Sequence, residues 1–460
     1  MRRFCSIIVA TLLATSVIGV QAITSAEAAG GGRPGVSGNE IKVGGIFSPP
    51  NVLNVPYEDG LAGAKAYFDM INAKGGVFGK KFKIVAQLSD QASPSGNIQA
   101  AKSLLAKKVF AIVPVSSNSF ASGFLLSKNG TPTFGYNIDA GYCGTSAEST
   151  AIGAATPDIA GVANGKLLQC PRKNVFGEKG SFLCFACPSI SPAVIAQQLG
   201  VTRVAILTYT HPTSTACGDG DEATFKKYGI TIAYQDRSLQ FGFADASSAV
   251  QAMKKAKVDY VVTCMDFGGG YKISQEMRQA GMTGIKFYAP EGYRQTTLEQ
   301  YGSQLDNWVF GLSFNPWQGK NLPKGTKAFL KAMKKAGIKP SEQAQAGWMN
   351  AQLLVTGIKL AGKNFTQKSV VDAINHITDW TADGIVPPIN WTTDGHGPGH
   401  EACNAYVEVK GGKFVPVFGK PGQPFVCYLD NPQPADLSTP YYRPLLAGQT
   451  VPGQTPTSTP

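Results

Sequence analysis

Two Cys and His spacings and a handful of polar loops are the parts of this chain whose residue types could do chemistry. Cys184-Phe-Ala-Cys187 is a CxxC, a spacing used for thiol–disulfide exchange or zinc. Redox work wants the first cysteine at a helix N-terminus, where its pKa drops. Here Pro188 and the helix signal at Ser191 follow the second cysteine, so a structural role is expected. His396-Gly-Pro-Gly-His400, with Asp394 and Cys403 nearby, has a metal-like spacing. Gly and Pro forbid the helix that would aim both rings together, so it reads as a turn and no metal is expected. Gly268-Gly269-Gly270 follows a strand without the spacing of a phosphate loop; it reads as a turn that lets the backbone come close to something. GxxxxGK[ST], GxSxG and HExxH are all absent.

What remains is a set of polar loops at the carboxyl ends of strands, where open α/β sheets bind ligands and free helix N–H groups attract anions. Ser116-Ser117-Asn118-Ser119 follows a strand over 109–115. Its hydroxyl and amide groups could hold a carboxylate, or cap an ordinary helix; the residues alone leave both open. Gly135-Tyr136-Asn137-Ile138-Asp139 follows the next strand. In the second half, Tyr209, Asp266 and Pro290-Glu291-Gly292 end successive strands. A carboxylate aimed into a closing cleft is a partner for an ammonium; the alternative for Glu291 is a solvated turn.

The elements that must carry these loops alternate. A strand over 41–47 precedes a helix over 58–72, with Leu61, Ala64, Phe68 and Ile71 on one face and Lys74-Gly75-Gly76 as its stop. A strand over 82–88, a helix over 95–106 and the strand over 109–115 continue the pattern. A second series runs from a helix over 191–199 and a strand over 202–208 through helix 219–228, strand 230–235, helix 247–256, strand 258–264 and helix 272–280 to a strand over 285–289. Leu105-Ala-Lys-Lys-Val-Phe-Ala-Ile-Val113 and Lys254-Lys-Ala-Lys-Val-Asp-Tyr-Val-Val262 both read as helix end, basic pair, buried strand. Such alternation with short connections implies parallel sheets covered by helices. Two series, separated by a Cys-rich stretch over 141–188, imply two α/β lobes.

The 460 residues suit two or three domains, with 43% hydrophobic and 16% charged residues. This excludes a disordered polyampholyte or a coiled coil. The net charge of +12 comes as scattered pairs such as Lys80-Lys81 and Lys334-Lys335, with no RNP, KH or zinc-finger pattern, so no nucleic-acid partner is expected. Arg2 and Arg3 precede an apolar stretch over 4–20, and Ala26-Glu27-Ala28 supplies small residues for signal peptidase. A secretory signal over 1–28 is therefore expected, and no later run of eighteen apolar residues suggests a membrane span. Beyond Cys5 stand Cys143, Cys170, Cys184, Cys187, Cys217, Cys264, Cys403 and Cys427, an even set that reads as disulfides in an exported protein. Residues 431–460 read as a disordered Pro/Thr-rich tail.

From Glu40 to about Val417 the chain resembles the type I periplasmic solute-binding proteins, in particular the leucine/isoleucine/valine-binding group of ABC transporters. The resemblance rests on Ile41-Lys-Val-Gly, Asp59-Gly-Leu-Ala-Gly-Ala, Ile71-Asn72-Ala73-Lys74-Gly75-Gly76, Val115-Ser-Ser-Asn-Ser, Met277-Arg-Gln-Ala-Gly, Ala289-Pro-Glu-Gly and Pro388-Ile-Asn-Trp391, in that order. It implies two Rossmann-like lobes, 39–186 with 315–390 and 187–314 with 391–430. Three crossovers near Cys184–Pro188, Ser313–Pro316 and Pro388–Trp391 would join them around a ligand cleft.

Carried onto this chain, the resemblance places an α-carboxylate on Ser117, with Asn118 and Ser119 beside it. The next loop contributes Tyr136, Asn137 and Asp139, and Glu291 holds the α-ammonium. Tyr57, or less favourably Phe47, would line the ligand. Tyr209 and Asp266 join from the second lobe; Asp266-Phe267 stands where the family has an aromatic, so a second acid could enter the pocket. Cys217–Cys264, closing adjacent strands, and Cys403–Cys427 are the favoured disulfides; the other four cysteines stay unassigned. The implied function is a monomeric, cofactor-free, non-enzymatic binding component of an ABC importer, taking an amino acid or similar small zwitterion to a membrane permease. A sensory receptor of the same fold, or a redox or metal enzyme using the CxxC or HxxxH, are the alternatives.

Overall fold

The chain's structure, a computed structural model, describes residues 33–50, 55–142, 162–163, 166–167, 170, 172–178, 180, 182–183, 191–392, 398–399, 403–420 and 422–427. Two sheets organise it. In the first, a short hairpin strand β1 (Val36–Ser37) leads into β2 (Glu40–Phe47), followed by α1 (Glu58–Ala73), β3 (Lys81–Ser89), α2 (Pro94–Ala106), β4 (Ala111–Ser116), α3 (Gly123–Asn129) and β5 (Thr133–Gly135). Two small ladder strands, β6 (Val162–Ala163) and β7 (Lys166–Leu167), pair with each other, and β8 (Val175–Gly177) closes the sheet edge. β3 and β4 flank β2 in parallel, and β5 and β8 extend the order. The apolar run of β4 is buried along its whole length, as a central strand covered on both faces requires.

The Ile-Asn-Ala-Lys-Gly-Gly segment has a local cause. Asn72 sits near the end of α1 and clamps the start of β3: its Nδ2 donates to the Phe82 carbonyl and its Oδ1 accepts from the Phe82 N–H, both at 2.8 Å. Gly76, at φ +80°, donates back to the Ile71 carbonyl. A Cβ there would fall 2.0 Å from the Lys80 carbonyl oxygen, so only glycine turns this corner.

After β9 (Phe182–Leu183), the second sheet is built from α4 (Ser191–Leu199), β10 (Arg203–Tyr209), α5 (Pro212–Lys227), β11 (Thr231–Leu239), α6 (Ser247–Lys255), β12 (Tyr260–Cys264), α7 (Phe267–Gln279), β13 (Lys286–Tyr288), α8 (Gln295–Tyr301) and β14 (Trp308–Leu312). The parallel order β11-β10-β12-β13-β14 is continued antiparallel by β16 (Cys403–Lys410), which pairs β17 (Lys413–Val417) and, through its start, β18 (Val426–Cys427). Between β14 and β16 the chain returns to the first sheet with α9 (Lys324–Ala336), α10 (Glu342–Ala361) and α11 (Gln367–Ile374), then adds β15 (Pro398–Gly399) beside β9. Among the described residues it thus passes between the two sheets three times. Of the expected crossover points, residues 184–190 lie outside the described residues. Trp391 is buried and packs edge-on against Phe176 of β8, with centroids 5.3 Å apart.

Two local expectations need correcting. The helix expected over 219–228 starts at Pro212, because Gly218 lets the helix lie directly on Thr208 of β10, a tertiary contact that overrides the poor helix formers of this stretch. The three glycines 268–270 form no turn; they make the first turn of α7, whose N-cap Asp266 accepts from the Gly268 N–H at 2.9 Å. The expected close approach is real: a Cβ on Gly269 would fall 2.0 Å from the Tyr209 hydroxyl.

Cys217 and Cys264 form a disulfide. The expected reason for the pairing is corrected, since Cys217 stands on α5 and not at a strand end. One turn on, Asp221 is buried on the same face of α5, and that burial raises its carboxyl from 3.8 to about 8. Across that window the folded chain holds a proton the unfolded chain has released. Stability therefore falls as pH rises from about 4 to about 8, by about 1.4 kcal/mol per unit, and levels off above. Asp221→Asn is expected to remove this slope and to raise the melting temperature at pH 7.5. Parallel melting-temperature profiles for both proteins between pH 5 and 8 would refute it.

Candidate functional site

The strands of the first sheet end in a row of buried polar groups. Ser48 follows β2, Asp90 follows β3, Ser116 ends β4 and Ser117 follows it; Tyr136 and Asn137 follow β5, and Glu178 follows β8. A hydrogen-bond chain stiffens the serine loop. The Ser48 Oγ donates to Asp90 Oδ2 at 3.0 Å and accepts from the Asn118 N–H at 3.1 Å. Asp90 also accepts from the Ala92 N–H and from Asn97 Nδ2, and Asn97 Oδ1 accepts from both the N–H and the Oγ of Ser122. α3 begins only at Gly123 and Ser122 precedes it, so the helix-cap reading of Ser117 falls away. The Ser117 hydroxyl and the Asn137 Oδ1 are buried and make no hydrogen bond among the described residues, which leaves their polar capacity for a ligand.

Tyr57, the residue before α1, is buried edge-on against Tyr136 with centroids 6.4 Å apart. Burial pushes the Tyr57 hydroxyl well up from its ordinary value, and the charges of Glu291, Asp90 and Asp139 push it further. The Tyr136 hydroxyl is raised in the same way, by burial first and then by Glu342, Glu291, Glu178 and Tyr57. The charge of Glu291, on the second sheet's β13 loop, therefore reaches both hydroxyls of the first. The loop is anchored by Tyr293, whose hydroxyl accepts from the Trp317 N–H at 2.8 Å and whose ring stacks on Trp317 at 4.3 Å. Further along, the Gln295 N–H donates to the Pro340 carbonyl, and Arg294 bridges Ser341.

The predicted residues fall into two groups. Tyr57, Tyr136, Asp139 and Glu291 are brought together, with Ser117, Asn118, Ser119 and Asn137 on the adjoining strand-end loops. Asp139 is held by the Gly141 N–H at 2.6 Å; burial raises its carboxyl, and Arg172 is among the groups that lower it. Tyr209 and Asp266 form their own pair in the second sheet, the phenol donating to Asp266 Oδ1 at 2.5 Å. Burial raises the Asp266 carboxyl, against the lowering pull of Tyr209 and of the first-turn N–H groups of α7. Phe241 flanks Tyr209 at 5.0 Å and is exposed. Phe47, the second choice for an aromatic lining, is half-buried at the end of β2.

Sequence reasoning missed Ser48, Asp90, Glu178 and Glu342. Glu178 accepts from the Asn137 N–H at 3.3 Å. Glu342 accepts from the Tyr136 hydroxyl at 3.4 Å, from the first turn of α10. Its N-cap Ser341 donates to Asp59 Oδ2 at 2.6 Å and accepts from the Ala344 N–H. A polar residue directly after an apolar strand was the available signal for Ser48, Asp90 and Glu178; nothing local marks Glu342.

The CxxC, His396, His400 and Asp394 lie outside the described residues, as do 1–32 and 431–460. Among the described residues the one group with metal-like geometry is Cys217, Asp221 and Cys264, whose two sulfurs are joined in the disulfide. No helix among them is long and apolar enough to cross a membrane.

A family model described as periplasmic binding protein matches residues 40–413. No curated protein matches the sequence. Among solved structures, the chain is similar to the branched-chain amino acid transporter substrate-binding protein LivJ from Streptococcus pneumoniae in complex with isoleucine: 18% identity over 82% of this chain and 97% of that one, with a TM-score of 0.62. It is similar to a fatty acid ABC transporter substrate-binding protein from Thermomonospora curvata, at 15% identity over 85% and 94% and a TM-score of 0.61. It is also similar to an ABC transporter solute-binding protein from R. palustris in complex with benzoate, at 19% identity over 84% and 98% and a TM-score of 0.60. At these identities the likeness is one of fold: two parallel-sheet α/β lobes of the type I arrangement.

Proposed function

Because this chain belongs to the periplasmic binding protein family, we propose that it is the exported, solute-capturing component of an ABC importer, and that its solute is an amino acid or a similar small zwitterion. The observation that carries the choice of ligand is the convergence of Glu291 with Tyr57 and Tyr136, with Glu342 and Glu178 acting on the same Tyr136 hydroxyl. Carboxylates grouped this way favour an ammonium and disfavour a bare carboxylate such as benzoate or a fatty acid. The Ser117 hydroxyl, and the loop that Ser48 and Asn118 stiffen, take the ligand's carboxylate.

In this reading the lobes are 39–186 with 315–390 and 187–314 with 391–430. The ligand bridges them, stabilises the closed form, and that form, as a monomer, is what the permease recognises. A signal over residues 1–28 exports the chain. Cys403 is disulfide-bonded and its register partner in the ladder is Cys427, which supports that pair as the second brace.

Calorimetry against amino acids, their N-acetyl derivatives, benzoate and a short fatty acid tests the reading. Amino acids are expected to bind, and acetylation, which removes the ammonium charge, to abolish binding. At a hundred times its dissociation constant a ligand should also add about 2.7 kcal/mol of stability. Binding of benzoate or of the acetylated forms, with no binding of free amino acids, would overturn the ligand class.

A further inference from the structure

The Cys217–Cys264 disulfide has an unusual neighbour. Asp221 Oδ2 lies 3.4 Å from Cys264 Sγ. A disulfide sulfur carries no proton, so in this contact the carboxylic acid is the donor. Among the described residues no other hydrogen bond or cation offsets the burial of Asp221. A brace between a helix and a strand needs no such acid, and an apolar side chain would serve there at less cost. The two sulfurs also differ in access: Cys264 is buried at the end of β12, whereas Cys217 on α5 is part-exposed.

The groups around Asp221 leave its proton free for the sulfur. Tyr260 on β12 is buried beside it and feels its charge. On α5 itself, Asp219 and Glu222 turn outward to Arg237 of β11, and Glu222 also to Lys226. Tyr209 at the end of β10 is bonded to Asp266, Arg203 at the start of β10 is exposed, and α4 carries no ionisable side chain.

We propose that Cys217–Cys264 is a thiol-exchange site, with Asp221 as its built-in proton donor and a small dithiol or a dithiol protein as the reductant. The reductant's thiolate attacks the Cys217 sulfur, forming a mixed disulfide as the Cys217–Cys264 bond breaks. The electron pair leaves on Cys264 Sγ, which takes the proton from Asp221. The reductant's second thiolate then attacks its own sulfur in the mixed disulfide and releases the Cys217 thiolate. The protein's disulfide gains two electrons, the dithiol is oxidised to its disulfide, and the Asp221 carboxylate is reprotonated from water. General-acid help to the leaving sulfur speeds this exchange because a thiol leaves more readily than a thiolate. The site also touches the cleft's second group: Ser214 Oγ donates to the Cys264 carbonyl and accepts from the Tyr209 N–H, and Asp266 follows two residues after Cys264.

Reduction of the folded, full-length protein by dithiothreitol tests this, with alkylation and peptide mass mapping as the readout and rates expressed per dithiothreitol thiolate. The wild-type rate is expected to be constant below about pH 7 and to fall at least tenfold above pH 9, as Asp221 loses its proton. Asp221→Asn is expected to be at least tenfold slower at pH 6.5 and flat across the range. A monothiol, glutathione, should be trapped on Cys217 and not on Cys264 in the wild type, a result that does not depend on the variant folding. Equal rates per thiolate for both proteins, a flat wild-type profile, or an adduct on Cys264 would each overturn the proposal.

Discussion

Glu291→Gln is expected to weaken binding of the proposed amino-acid ligand by about 2–5 kcal/mol, the range for truncating a buried charge pair. That corresponds to about 30-fold or more in dissociation constant. The substitution keeps the shape of the side chain and removes its charge, so the loss reports the ammonium contact and little else. Glu291 suits this role because its loop is fixed from two sides. Tyr293 is tied to Trp317 on the passage back to the first sheet, and Gln295 is bonded to Pro340 just before α10. A carboxylate on a loop so fixed, with its charge felt at two buried phenols, contributes charge that a flexible surface glutamate would lose to solvent screening. Calorimetry of the variant checks the value, with its melting temperature as the control for folding. An unchanged dissociation constant in a folded variant would remove Glu291 from the site and leave Glu342 and Glu178 as the acids to test.

The second large effect concerns stability. Gly347→Ala is expected to destabilise the protein by about 3 kcal/mol or more, at or beyond the upper end of overpacking costs. α1 and α10 cross backbone against backbone. A Cβ on Gly347 would fall 1.8 Å from the Gly60 carbonyl oxygen, and one on Gly63 would fall 1.8 Å from that of Ala344. Backbone atoms in two helices cannot yield as a flexible side chain can, so the helices must part. Parting them strips the edge contact between Tyr67 and Trp348, whose centroids are 4.8 Å apart. It also disturbs the site, because Gly60 lies against Ser116, where a Cβ would meet the hydroxyl at 2.6 Å. Urea unfolding of Gly347→Ala and Gly63→Ala measures the effect. A loss below about 1 kcal/mol in both would show that the crossing has slack.

The same glycines show how the candidate site and the fold share residues here. Asp59-Gly-Leu-Ala-Gly-Ala reads in the sequence as the opening of an amphipathic helix. In the structure Asp59 bonds the cap of α10, Gly60 makes room for the serine strand, and Gly63 lets α10 approach. Ile-Asn-Ala-Lys-Gly-Gly is legible as a helix stop, and the Asn72 clamp on Phe82 adds a tertiary bond that no local pattern announces.

The two-lobed α/β architecture could be read from the chain alone, because hydrophobic period and glycine stops are local properties that decide which face of each segment is buried. The strand-end loops could be read for the same reason: parallel strands deliver the residues that follow them to one edge of a sheet. That further acids join Asp139 and Glu291 there could not. Asp90, Glu178 and Glu342 come from three distant parts of the chain, and they meet around Tyr57 and Tyr136 because strand order and the α1–α10 crossing set their neighbours. Asp221 illustrates the same division. In the sequence it is one acid on a polar helix; only the packing of α5 on β12 buries it against the Cys264 sulfur, and burial without a cation is what makes a carboxyl hold its proton.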